Sequence, residues 1–181
     1  MKFVEKEKYK DIAEAKEKYD AIAAADDEDL SEKLGNSDIA GLGRREQFTF
    51  IYLFKGDSGA TEKYVFPMRG KGLWSVLKGF VALESDFNTV SGLTYYEHGE
   101  TPGLGGEVEN PSWKAKWIGK KIFDDENNVK IRVVKGEATD EYTMDGLSGA
   151  TITSRGVTNM LEYWFGEEGY KSYIEKQQAN Q

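Results

Sequence analysis

The chain contains no cysteine. Disulfides, thiol nucleophiles, cysteine zinc sites and iron–sulfur clusters held by this chain are therefore excluded. A single histidine, His98, leaves little material for a histidine metal site or a Ser-His-Asp triad. Long apolar runs are missing too. The longest span five residues, as from Phe50 to Phe54, against the ~20 needed to cross a bilayer. Met1-Lys2-Phe3 leads at once into charged residues, so no signal peptide and no membrane anchor are expected here. Net positive charge is also lacking. The formal charge of −8 speaks against nucleic acid and against an anionic lipid surface as partners, and reads as solubility.

What remains is a globular composition. Of 181 residues, 39% are hydrophobic, with nine Phe, ten Tyr and four Trp, enough for one domain with a proper core. The chain divides into residues 1–47, read as an N-terminal helix and acidic linker, and residues 48–181, read as the main domain. Residues 5–25 are rich in Ala, Glu and Lys with a thin apolar stripe, which predicts a helix. Residues 26–38 are polar and predict a loop; the acidic run Asp26 to Asp29 has no EF-hand pattern and reads as solvated.

Residues 48–54 and 63–68 predict a hairpin, and residues 80–83 and 90–96 two further strands. Trp113 and Trp117 fall in a predicted short helix, 111–118, as core residues. A strand is expected over 129–134 with Val129, Ile131 and Val133 on one face. Residues 155–165 place Val157, Met160, Leu161, Trp164 and Phe165 on one helical face. Thr153 or Ser154 is the expected N-cap and Gly166 the C-cap, and residues 167–174 add a last helical turn. The irregular alternation predicts α+β: a single domain with a mainly antiparallel sheet flanked by helices.

Three stretches carry chemical information. The first is Gly70-Lys71-Gly72-Leu73-Trp74-Ser75, a turn with two glycines and a flat ring. The second is Glu97-His98-Gly99-Glu100-Thr101-Pro102-Gly103-Leu104-Gly105-Gly106-Glu107. Its glycines do not form a dinucleotide fingerprint, because position 108 is Val. They let backbone approach a flat ligand closely. The third is Asp145-Gly146-Leu147-Ser148-Gly149-Ala150-Thr151-Ile152-Thr153-Ser154, which runs into the amphipathic helix. Free N–H groups and the positive end of a helix dipole suit a phosphate there. Ser58-Gly59-Ala60-Thr61 repeats the four-residue core, but Lys55 stands where Asp would be and a strand follows. It reads as a hairpin turn.

Together these motifs resemble the covalent FMN-binding domains of the NqrC and RnfG family, over residues 63–169. The resemblance implies that residues 48–181 form a covalent FMN-binding domain with FMN on the Thr151 hydroxyl through a phosphoester. A separate flavin transferase would make the bond, reading the motif including Asp145; Asp145, Ser148, Gly149, Ala150 and Thr153 stand beside Thr151 as expected cofactor-binding residues. Leu73, Trp74, Ser75, Glu100, Thr101, Gly103 and Leu104 would line the flavin site. His98 is expected to be structural, since a one-electron carrier needs no dedicated proton donor. No catalytic residue and no metal is expected.

The implied function is electron relay among the other subunits of a membrane redox-driven Na+ pump running from NADH to quinone. By analogy its place is the extracytoplasmic (periplasmic) face of the inner membrane when anchored; this chain lacks the anchor and is expected to be soluble. An Rnf-type complex linked to ferredoxin and a non-redox module holding a phosphate or a partner carboxylate are the alternatives.

Overall fold

The computed structural model describes residues 19–179. Most of the helix expected over 5–25 lies outside the described residues, and within them it does not run through: Asp20 is extended and caps a separate short helix, α1, Ala21–Asp26, its carboxylate accepting from the Ile22 and Ala23 amides. The residues expected as a loop over 26–38 contain a short strand. β1, Ser31–Lys33, pairs antiparallel with β2, Arg44–Glu46. Polar sequence concealed it, because polar ties hold it: Ser31 donates to the Asp27 carbonyl and accepts from Arg44 Nε, and Glu32 pairs with Arg45.

The frame is a four-stranded antiparallel sheet, β3 (Tyr52–Lys55), β4 (Thr61–Lys71), β5 (Val76–Glu84) and β6 (Val90–Glu97), in that spatial order. Consecutive strands joined by short turns need no crossover, as the hairpin spacing predicts. Alternate residues of β5, Leu77, Gly79, Val81 and Leu83, turn inward, the period of a sheet with one covered face. Ser58 and Gly59 sit in the β3–β4 turn and Thr61 opens a strand, so the repeated four-residue core lies on no helix.

Glu46 of β2 pairs with Arg69 of β4 at 2.6 Å, both buried. That pair fastens the β1–β2 hairpin to the sheet, and Ala40 joins the core beside it.

A 3₁₀ turn, Gly105–Glu109, precedes the short helix α2, Pro111–Ala115. Trp113 and Trp117 pack edge to face and are buried, as core residues should be. The expected strand 129–134 shrinks to β7, Arg132–Val133, paired parallel with β8, Thr143–Met144. The Lys130 and Ile131 amides both donate to the Ile122 carbonyl, which holds the backbone off any long ladder.

The long helix α3, Thr151–Phe165, covers the sheet. Val157, Met160, Leu161, Trp164 and Phe165 are all essentially without solvent exposure, each burial being favourable by about 1.5–3 kcal/mol. Gly166 ends α3, and α4, Lys171–Gln178, follows. Gly156 lets α3 approach the end of β4: a Cβ there would stand 2.3 Å from the Lys71 carbonyl oxygen. The start of α3 is thereby pressed against the β4–β5 turn.

Candidate functional site

The three sequence motifs, residues 70–75, 97–107 and 145–154, meet at the start of α3. The knot is Glu100. Its side chain is buried at 5% exposure. Oε1 accepts from the Trp74 amide at 2.9 Å, the Ser75 amide at 3.2 Å and, weakly, the Ser75 hydroxyl at 3.4 Å. Oε2 accepts from the Leu73 amide at 3.2 Å and the Thr153 hydroxyl at 2.6 Å. All these donors are neutral. Burial pushes the carboxyl up, but the Thr153 hydroxyl and the Trp74, Leu73 and Ser75 amides outweigh it and hold Glu100 below the usual carboxylate range. Glu100 is therefore ionised at neutral pH. Side chains cannot be added around it: a Cβ on Gly72 or Gly105 would lie 2.6 Å from a carboxylate oxygen.

The β4–β5 turn closes through the Gly72 amide on the Ser75 carbonyl. With its amides held from below, the turn presents Leu73 and Trp74 to solvent, Trp74 at 70% exposure. The loop 101–104 is tightened by the Leu104 and Gly106 amides, both donating to the Thr101 carbonyl. Thr101, Gly103 and Leu104 are exposed. Leu104 lies against Gly149, whose positive φ of 69° turns the chain into α3.

Ala150, not Thr153 or Ser154, occupies the N-cap position of α3, and no side chain caps the helix. The two hydroxyls expected to cap sit one turn inside. Thr153 donates to Glu100, and Ser154 accepts from the Leu147 amide at 3.0 Å. Both are buried, so neither side chain is presented to a ligand. Thr151, the first residue of the helix, differs: it is exposed, and its hydroxyl has no hydrogen bond among the described residues. Ser148 and Gly149 are exposed beside it, while Ala150 is buried. The amides of the first helical turn have no intrahelical partner.

Asp145 anchors the approach to this turn. Its Oδ1 accepts from the Ala138 amide at 2.7 Å, and Oδ2 pairs with Lys116. The Lys116 ammonium and the Ala138 amide hold the carboxyl below its ordinary range. The Trp113 indole N–H, at 2.9 Å from the Asp145 carbonyl, fixes the backbone.

Beside Thr151 lies a groove of about 850 Å³, with Arg132, Lys135, Ser148, Arg155 and Thr158 among its lining. The three cations are exposed, and none has an ion-pair partner among the described residues. Glu137 and the paired Asp145 complete the charge there. Sequence reasoning missed these cations. Arg155 had a usable signal, since it stands four residues after Thr151 on the same helical face. The Lys116–Asp145 pair had none. A second cavity of about 750 Å³, beside Tyr19, Phe50, Tyr52, Phe80 and Tyr96, holds none of the motif residues.

His98 accepts the Glu100 amide on Nδ1 at 3.2 Å and faces Glu109 with Nε2 at 3.4 Å. The bond on Nδ1 ties down the backbone that carries Glu100.

The family model of the FMN-binding domain matches residues 72–166, a span that contains the turn, the loop and the start of α3 and omits Thr61. The NqrC protein of the Na(+)-translocating NADH-quinone reductase of Yersinia pestis is 52% identical over 141 residues, 77% of this chain and 53% of that protein. Its counterpart in Vibrio parahaemolyticus is 49% identical over 87% of this chain and 61% of that protein. The chain thus spans a little over half the length of these relatives. The crystal structure of Shewanella oneidensis NqrC superposes with a TM-score of 0.85 at 41% identity, covering 90% of this chain and 75% of that one. The corresponding protein from Parabacteroides distasonis gives 0.61 at 37% identity, over 68% and 61% of the two chains. With its family match lying across all three converging motifs, the chain belongs to the FMN-binding domain family, as an NqrC-like member.

Proposed function

We propose that this chain is an electron carrier that holds FMN covalently, through a phosphoester to Thr151, and relays single electrons within a Na+-translocating NADH:quinone reductase. The observation that carries this reading is the contrast among the hydroxyls at the start of α3. Thr153 and Ser154 are engaged and buried, whereas the Thr151 hydroxyl is exposed and unengaged. A phosphoester forms on an accessible hydroxyl, and Thr151 offers one.

The surrounding residues fit FMN. The unpartnered amides of the first turn, the dipole of α3 and the cations Arg132, Lys135 and Arg155 suit the phosphate. Exposed Leu73, Trp74 and Leu104 offer apolar surface for a flat ring, with Ser75, Thr101 and Gly103 around it. FMN supplies the redox chemistry when bound, and the protein supplies orientation and electrostatics. Glu100, ionised and fully engaged, is no proton donor in this reading. A dipole contributes only ~0.3–1 kcal/mol toward holding an exposed anion, so a covalent bond is what keeps the cofactor through repeated turnover.

Asp145, Ser148, Gly149 and Ala150 form the segment that a flavin transferase would recognise, with Asp145 holding it in shape through Lys116 and Ala138. The electron partners are other subunits of the pump at the extracytoplasmic face. No helix among the described residues is long and apolar enough to cross a membrane. Co-expression with a flavin transferase, then denaturing electrophoresis under ultraviolet light, tests the reading. A fluorescent band at the mass of the chain is expected; flavin that leaves on denaturation would contradict covalent attachment.

A further inference from the structure

Glu100 binds the underside of the Leu73–Ser75 turn and the first turn of α3 with one carboxylate, and every donor to it is neutral. A full negative charge is thus fixed one hydrogen bond away from both the helix turn that carries Thr151 and the backbone that presents Leu73 and Trp74. Such a charge is poorly screened, because burial keeps counterions away.

We propose that Glu100 is a positioning residue that also sets the redox balance of the site: its fixed charge opposes reduction of a flavin carried at Thr151 and holds the midpoint potential down. The proposal rests on the reading of Thr151 as the flavin carrier. Near neutral pH, reduction of a flavin by two electrons and one proton leaves it one negative charge more than the oxidised form. A nearby carboxylate disfavours that charge by Coulomb repulsion. The hydrogen bonds to Glu100 spread its charge without cancelling it, and the Thr153 hydroxyl is the shortest of them at 2.6 Å.

This gives two substitutions opposite signs. Glu100→Gln keeps an acceptor oxygen and removes the charge. Thr153→Val keeps the charge and removes the donor that shares it best. Both disturb the contact between Glu100 and Thr153, so a purely structural role for that contact moves both potentials in the same direction.

The test is a dithionite titration of the flavin-loaded full chain at one near-neutral pH, followed by flavin absorbance. Glu100→Gln is expected to move the midpoint potential to more positive values and Thr153→Val to more negative ones. Glu28→Gln, the same charge change at an exposed residue that pairs with Arg44, is expected to leave it in place. Shifts of one sign in both variants, or no shift in Glu100→Gln, overturn the proposal while leaving the Thr151 reading intact. If Glu100→Gln fails to load, Thr153→Val decides: a more negative potential supports the proposal, and any other result overturns it. A wild type that takes up no flavin overturns the Thr151 reading, and this proposal falls with it.

Discussion

The Thr153 hydroxyl donates a 2.6 Å hydrogen bond to Glu100 across fifty-three positions of sequence, and both side chains are buried. This bond joins the start of α3 to the loop that follows β6. Hydrogen bonds to buried charged groups contribute roughly 1.5–3 kcal/mol. Thr153→Val is expected to lower unfolding stability by about that amount, and Thr153→Ser, which keeps the donor, by clearly less. Urea denaturation of the two variants checks this.

The ionisation of Glu100 has a pH signature. Its folded-state pKa is depressed, so its contribution is complete above the unfolded value of ~4.3. It is lost as the pH falls from there through the lower folded value. Glu100→Gln is therefore expected to be less stable than wild type at neutral pH, with the difference narrowing as acid is added below about pH 4. Denaturation midpoints measured across that range would show the convergence.

Gly156 is a second sharp point. Gly156→Ala would set a methyl 2.3 Å from the Lys71 carbonyl oxygen, within rigid backbone. Overpacking of this kind costs about 1–3 kcal/mol, and the start of α3 must shift away from the β4–β5 turn. Gly92→Ala, with open space around its Cβ, is expected to change stability by less than about 0.5 kcal/mol. Thermal melts of both variants distinguish a specific close approach from a general intolerance of glycine replacement.

Arg155 is exposed and unpaired beside Thr151. Arg155→Ala is expected to leave stability unchanged and to slow flavin attachment by up to ~5-fold, the size of an exposed charge effect of about 1 kcal/mol. The deficit should shrink at high salt, where wild type loses the same attraction. Rates of flavin incorporation at two ionic strengths check this.

α3 was legible because its period is long and regular: the five apolar positions from Val157 to Phe165 repeat a single geometric rule. The antiparallel strands were legible by composition and turn spacing, but not in their bounds: 48–54 was expected where β3 is Tyr52–Lys55, and 80–83 where β5 is Val76–Glu84. The three motifs were legible as motifs, but their convergence was not. That convergence is made by Glu100 and Thr153, polar residues whose burial no local pattern announces. The capping residue was misplaced for a related reason. Thr153 and Ser154 have good capping chemistry, yet tertiary partners engage both hydroxyls, and the helix begins earlier, at Thr151. The expected strand over 129–134 kept Ile131 buried but lost its ladder to the Ile122 carbonyl.

The most direct test is an intact-mass measurement on protein made together with a flavin transferase, for wild type, Thr151→Ala and Thr61→Ala. The account predicts a gain of one FMN less one water in wild type and in Thr61→Ala, and no gain in Thr151→Ala. An unmodified wild type, with the transferase shown to be active on another substrate, or a modified Thr151→Ala, would contradict it.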